Sequence, residues 1–303
     1  MSVATWAEHD GVPVLHLTGL EALGGVRAIF TGRRGGVSQR WGGGLNWSLS
    51  VGDRPEDVRE NRRRTLAILG LAPGSAFMGG LVHGNRVVAV RADGCDPTDD
   101  SRNRADDVRV IPGADGLITD RQGIALVITA ADCVPVYLYD PVRRVIGVVH
   151  AGWRGTVAGV AAGAVRAMRE HYGCDPADIH AAIGPSIGPC CYEVDEAVAG
   201  PVRQHFGDGA EGLLRPSARA GRHMLDLWAA NRLDLTSAGV GQVHVAGACT
   251  ACQRDRFFSH RAEAGGAGRG AAIILLSQSV KGGSPWAPSR SCGQSPGDAA
   301  DGP

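Results

Sequence analysis

The chain lacks an excess of charge of either sign. Its 31 Lys and Arg residues balance 31 Asp and Glu over 303 residues, which removes the electrostatic argument for nucleic acid or a membrane surface as partner. It lacks a long apolar run; no stretch approaches the ~20 residues that a membrane-spanning helix needs. The segment Met1–Asp10 lacks the basic start and apolar centre of a signal peptide, so a cytoplasmic location is expected, with the eight cysteines mostly reduced. The ten histidines include no His-Xaa-His. Cys249-Thr250-Ala251-Cys252 has no second CxxC to complete a structural zinc site. No internal repeat and no clear linker is present.

What is present centres on Ala130–Pro135 and His150–Gly155. Two short β-branched runs, Val134–Tyr139 and Val145–Val149, flank Asp140-Pro141 and read as two strands joined by a turn. Cys133 stands just before the first and His150 just after the second. In a simple hairpin the two would face each other, with Cβ atoms about 4.5–5.5 Å apart. A thiolate and an imidazole so placed can share a metal ion, or act as nucleophile and base.

The length suits one large domain or two, with a full hydrophobic core. Gly11–Phe30 reads as short strands. Thr31–Ser38 places a Gly pair beside Arg33 and Arg34, which suits a loop that approaches an anion. No Gly-Lys-Ser/Thr follows, so it is not a P-loop. Gly42–Gly52, with Asn46 and Trp47, is irregular. Asp53–Leu69 reads as a helix capped by Asp53, and its Arg62-Arg63-Arg64 run as a solvated face. His83 interrupts an apolar strand spanning Leu81–Val88. Thr156–Tyr172 reads as a helix capped by Thr156, with its N-terminus and Arg154 offering an anion site near the hairpin end. Asp93–Asp107 reads as an exposed loop, and residues 277–303, with Cys292, as a disordered tail after one domain over 1–276.

These motifs resemble the laccase-domain or polyphenol oxidase family, whose members act as zinc-dependent purine nucleoside phosphorylases with adenosine deaminase activity; some are called peptidoglycan editing factors. The resemblance runs in order from about Thr31 to Leu276 through Thr31–Ser38, Leu45-Asn46, Val51–Asp53, Asn61-Arg62, Val82–Gly84, Thr129–Pro135, His150–Gly155, Gly184–Val194, Cys249-Thr250 and Phe257–Arg261. It implies an α/β (α+β) fold, a layered sandwich of mixed β-sheets flanked by helices. It implies that His83, Cys133 and His150 bind the metal and carry catalysis. Arg33, Asn46, Arg154 and Arg261 fall in shared motifs and are substrate-binding candidates. Two positions depart from the family pattern: Leu81 stands where many members have Gln, and Ser50 where many have His. Neither is a metal ligand in that pattern, and both are expected to line the pocket. Some members lack the cysteines matching Cys190 and Cys191, so these receive no catalytic role.

Three activities can use these residues. The favoured one is a zinc enzyme, because two His and one Cys with an open fourth position is a catalytic zinc pattern. Purine nucleosides and phosphate would be its substrates, and the chain would work as a monomer or homodimer. A copper phenol oxidase is opposed by the missing His pairs, although copper can bind such a site in vitro. A cysteine hydrolase acting on cell-wall precursors would use Cys133 as nucleophile and His150 as base without metal.

Overall fold

A computed structural model describes residues 3–91 and 108–277, and of residues 104–105 the backbone alone. The expected loop Asp93–Asp107, apart from that backbone, and the tail after Ser277 lie outside the described residues.

Two mixed sheets are stacked at the centre. The eight-stranded sheet runs in the order Thr5–His9, Val12–His16, Val26–Thr31, Gly270–Leu276, Ala125–Ala130, Ala76–Gly80, Val108–Pro112 and Arg104–Ala105. The six-stranded sheet runs Gln242–Val245, His180–Ile183, Val134–Asp140, Val145–Ala151, Gly116–Thr119 and Val87–Ala89. Their facing sides share one core, in which Phe30, Leu126, Ile128 and Ile274 of the first sheet meet Leu117, Tyr137, Ile146 and Val148 of the second. Such strands are buried on both faces, which explains why Val134–Asp140 and Val145–Ala151 read as continuous apolar runs rather than alternating ones. The Tyr137 hydroxyl crosses between the sheets and donates to the Ile29 carbonyl at 2.8 Å.

Helices cover the outer faces. Pro55–Ile68 turns Leu66 toward the loop residue Trp47 and toward Val127 and Ile273 of the eight-stranded sheet. Val160–Tyr172 and Leu227–Ser237 pack on Val136, Leu138 and Val149 of the six-stranded sheet. A small third sheet joins Glu193–Val194, His223–Leu225 and Leu214–Pro216. The layers are therefore helix, sheet, sheet and helix, the sandwich of mixed sheets expected from the sequence.

Five local readings change. The hairpin register pairs Pro135 with His150 and Val134 with Ala151, two residues out of step with a direct Cys133–His150 pairing. The turn is the cause: Asp140 pairs with Val145, so the loop takes four residues, and Arg144 adopts φ 56°. Cys133 precedes Pro135 by two positions and so shares the face of His150, as its diagonal rather than its direct neighbour. The helix read from Thr156 is two helices. Trp153–Val157 is capped at Gly152, Gly159 turns at φ 66°, and Val160 begins the second. Thr156 caps nothing; its buried hydroxyl accepts from the Asn231 amide at 3.1 Å. Asp53 lies before the N-cap Arg54, which makes no side-chain cap, and accepts instead from Ser38 Oγ and Asn46 Nδ2. Of the arginine run, Arg63 and Arg64 face solvent and pair with Glu60, whereas Arg62 lies on the buried stripe.

The apolar strand expected over Leu81–Val88 is the fifth change. Ala76–Gly80 belongs to one sheet and Val87–Ala89 to the other, so residues 81–86 form a crossover between sheets. Ala125–Ala130 and Val134–Asp140 are divided in the same way, so residues 131–133 form a second crossover. His83 and Cys133 each sit on one of these crossings.

Candidate functional site

Backbone strain marks both crossovers. His83 adopts φ 60° and Asp132 φ 90°, a region that L-residues occupy only when their surroundings enforce it. For His83 the enforcing group is the carboxylate of Asp115. It accepts the backbone N–H groups of Val82, His83 and Gly84 at 3.2, 3.0 and 2.8 Å. Its Oδ1 also bonds His150 Nδ1 at 3.0 Å. One fully buried carboxylate thus sets the turn that presents His83 and the tautomer of His150, leaving His150 Nε2 for another partner. Asp132 is held as firmly. Its carboxylate accepts from Thr250 Oγ1 at 2.6 Å and Arg261 N–H at 2.7 Å, and its carbonyl accepts from Ile187 N–H at 2.9 Å. Those three bonds fix the backbone that aims Cys133.

The three side chains converge. One ligand atom from each of His83, Cys133 and His150 lies within 4.8 Å of the others. The two imidazoles meet edge to face, with ring centroids 4.9 Å apart. Two glycines make the convergence possible. A Cβ on Gly152 would lie 2.9 Å from Cys133 Sγ, and one on Gly155 would lie 3.1 Å from the Gly84 carbonyl oxygen. The His-Ala-Gly-Trp-Arg-Gly spacing therefore puts a ligand, a gap for the thiol and a gap for the His83 turn on one segment.

The electrostatics favour a thiolate. Burial opposes charge on Cys133, but neighbouring His150, with hydrogen bonds from His150 and His83, brings its thiol down to about 6. Burial also opposes a proton on His150; the Cys133 thiolate and the Asp115 hydrogen bond outweigh it and raise the imidazole to about 9. Burial would likewise raise Asp115, but His150 and the Gly84 and Val82 N–H groups hold it below the usual carboxylate range. The pair at neutral pH is thiolate and imidazolium, from which a metal ion can displace the proton. Two imidazoles and a thiolate are borderline-soft donors suited to zinc.

The three residues open into a cavity of about 730 Å³, within the range of small-ligand sites. Among the described residues, Arg62, Arg154, Arg261 and Arg269 line it, against one carboxylate, Asp132, and that carboxylate is already engaged. The Arg154 guanidinium lies over the Trp153 ring at 4.3 Å, and that of Arg261 over Tyr192 at 5.1 Å. Leu81 and Ser50 are both on the wall, as expected of the two positions that depart from the family pattern. Arg33 and Asn46 are not. The Arg33 guanidinium is turned away to Glu263 at 3.2 Å and to the Arg254 carbonyl. Asn46 is buried beneath the wall, where it accepts from Arg269 N–H and Ser48 N–H. Sequence reasoning missed Asp115, Arg269 and Tyr192. No local pattern marks Asp115, because its partners lie 35 positions ahead and 31 to 33 behind.

An α/β sandwich with a His/Cys/His centre at the seam of its two sheets, opening on an arginine-lined cavity, is the class of protein that this geometry defines. The chain belongs to the multi-copper polyphenol oxidoreductase laccase family, whose model matches residues 27–277. Similar proteins carry a different name. A purine nucleoside phosphorylase, YlmD, of Geobacillus stearothermophilus is 38% identical over 258 residues, covering 84% of this chain and 92% of its own. A purine nucleoside phosphorylase of Deinococcus radiodurans is 40% identical over 266 residues, covering 88% and 94%. The crystal structure of YlmD from Geobacillus stearothermophilus superposes with a TM-score of 0.82 at 36% identity, over 92% of this chain and all of the other.

Proposed function

We propose that this chain is a zinc-dependent purine nucleoside phosphorylase. It would cleave adenosine, inosine and methylthioadenosine with phosphate to the free base and the sugar 1-phosphate, and would deaminate adenosine. The observation that carries the proposal is the union, in one cavity, of the His83, Cys133 and His150 donor set with four arginines and a single engaged carboxylate. The names of the relatives support it. Zinc held by His83, Cys133 and His150 would supply a Lewis acid with one open position.

The remaining chemistry belongs to the chain. Arg154 and Arg261 hold phosphate near the metal ligands, their planar guanidinium groups stacked on Trp153 and Tyr192 before it arrives. This assignment replaces the helix-terminus anion site expected from the sequence, since the helix that begins at Trp153 spans five residues. A phosphate oxygen bonds to C1′ as the C1′–N9 bond breaks, the electron pair leaves with the purine, and the purine takes up the proton that hydrogen phosphate gives up. Deamination adds water at C6 of adenosine and releases ammonia. Leu81, Ser50 and Met78 line the part of the cavity where the nucleoside would lie.

A metal-free cysteine hydrolase is a second reading, and the Cys133–His150 ion pair favours it as a nucleophile and base. Arg154, Arg261 and the third ligand His83 have no role in that reading. A copper phenol oxidase is disfavoured by ten histidines without a His-Xaa-His. Incubation with adenosine separates the readings. With phosphate, adenine and ribose 1-phosphate should form; without it, inosine alone. If a chelator leaves activity intact, or if no base is released with phosphate, the phosphorylase reading fails.

A further inference from the structure

A second cluster of potential metal donors lies outside this centre. Cys190, Cys191, Cys249 and Cys252 bring four Sγ atoms within 4.8 Å of one another. The sequence offered a lone CxxC; the fold completes it with an adjacent pair from the Gly184–Val194 loop. An isolated bridge links Ser186 to Cys249, with Ser186 N–H donating to the Ala248 carbonyl and Thr250 N–H to the Ser186 carbonyl. That bridge sets the two loops side by side. Gly188 then allows close approach. Its N–H donates to Cys249 Sγ at 3.2 Å, and a Cβ there would lie 2.8 Å from Trp228 and 3.2 Å from the Cys249 Cβ. Cys191 N–H and Tyr192 N–H both donate to the Gly188 carbonyl, and this tight turn throws two consecutive thiols toward the CxxC.

We propose that these four cysteines form a closed tetrathiolate zinc site that clamps the rim of the catalytic cavity. Three observations carry it. First, Cys252 Sγ lies 3.5 Å from Cys190 Sγ and 3.4 Å from Cys191 Sγ. One sulfur near two others at like distances suits thiolates around a common ion, where zinc with about 2.3 Å bonds sets sulfur separations of about 3.8 Å; a disulfide would need about 2.05 Å and a single partner. Second, all four donors are sulfur and, among the described residues, no fifth His, Cys, Asp or Glu joins them, the pattern of structural rather than catalytic zinc. Third, the clamped loops hold the first centre in place. Ile187 N–H and the Thr250 hydroxyl both bond Asp132, the residue that aims Cys133, and Ile187 and Tyr192 line the cavity. With two of the thiols exposed, an ion would also shield the cluster from oxidation.

The test is metal stoichiometry of the full chain, purified anaerobically without added metal. Wild type should carry two zinc equivalents. The double variant Cys190→Ser/Cys191→Ser should lose one and keep the other. His83→Ala should lose the other and keep the first, so failure of the catalytic reading and failure of this one give different counts. Cobalt substituted into His83→Ala should show the intense visible bands of a tetrathiolate site, and these should vanish in Cys252→Ser at a second, exposed position. A single zinc in wild type that His83→Ala abolishes would overturn the proposal. A disulfide from Cys252 to Cys190 or Cys191 in the anaerobic protein would overturn it too, as would stoichiometric iron on the four thiols.

Discussion

Asp115→Asn is the sharpest probe of how the fold builds the His83/Cys133/His150 centre. The change keeps side-chain size but replaces one acceptor oxygen with an N–H₂ group. In the native site Oδ2 accepts from Val82 and Gly84 N–H, while Oδ1 takes His83 N–H and His150 Nδ1. Whichever way the amide turns, its N–H₂ faces two donors in a fully buried position. Each lost bond to a charged acceptor is worth about 1.5–3 kcal/mol, so folding stability should fall by at least 3 kcal/mol or so. The second effect is on metal. Loss of an outer hydrogen-bond partner of a ligating His weakens binding about 10–100-fold, or about 1.4–2.7 kcal/mol. The assay is competition for zinc against a chelator of known affinity, alongside thermal unfolding of the metal-free protein. Unchanged zinc affinity and unchanged melting in Asp115→Asn would refute the claim that this carboxylate sets both the His83 turn and the His150 tautomer.

Other perturbations have equally definite outcomes. Gly152→Ala puts a Cβ 2.9 Å from Cys133 Sγ and should cost zinc affinity by tenfold or more, whereas Gly163→Ala, whose Cβ meets the Arg166 guanidinium at 3.6 Å, should leave it unchanged; equal affinities in the two would contradict the packing argument. Arg154→Ala should raise the KM for phosphate at least tenfold and Arg154→Lys should restore only part of it, since lysine keeps the charge without the planar fork; phosphate kinetics unaltered in Arg154→Ala would remove the residue from the substrate site. In metal-free protein, Cys133 alkylation, followed by peptide mass mapping, should be fast above pH 6 or so and slow as pH falls through about 6, because the thiolate is the reactive form. Zinc should protect it. Reactivity that rises only near the ordinary thiol value of about 8.5 would mean that the imidazoles do not hold the thiolate.

Much of the site was legible because its signals are local. The β-branched runs gave both strands of the hairpin, and Cys133 and His150 stood out at their ends. The pairing slipped by two because the turn length depends on Arg144 entering a positive φ, which nothing nearby in sequence demands. His83 could be raised to a ligand through family resemblance alone; an imidazole on a crossover between sheets has no periodic pattern to betray it. Arg33 and Arg261 look alike in sequence, each in a motif. What separates them is a tertiary choice: Arg33 turns to Glu263, and Arg261 turns to Tyr192 on the cavity wall. The Cys190-Cys191 pair meets Cys249 and Cys252 across about sixty residues, through a bridge at Ser186 that only the assembled sheet creates.

The most direct test of the catalytic account measures zinc content and phosphate-dependent nucleoside cleavage on the same His83→Ala preparation. His83 lies far from Cys133 and His150 in sequence and has no part in a cysteine–histidine nucleophile pair, yet its imidazole converges with them as the third potential metal donor. His83→Ala should carry one zinc equivalent fewer than wild type and release no base from adenosine or inosine with phosphate. Full turnover in a His83→Ala protein that has lost that equivalent would contradict it.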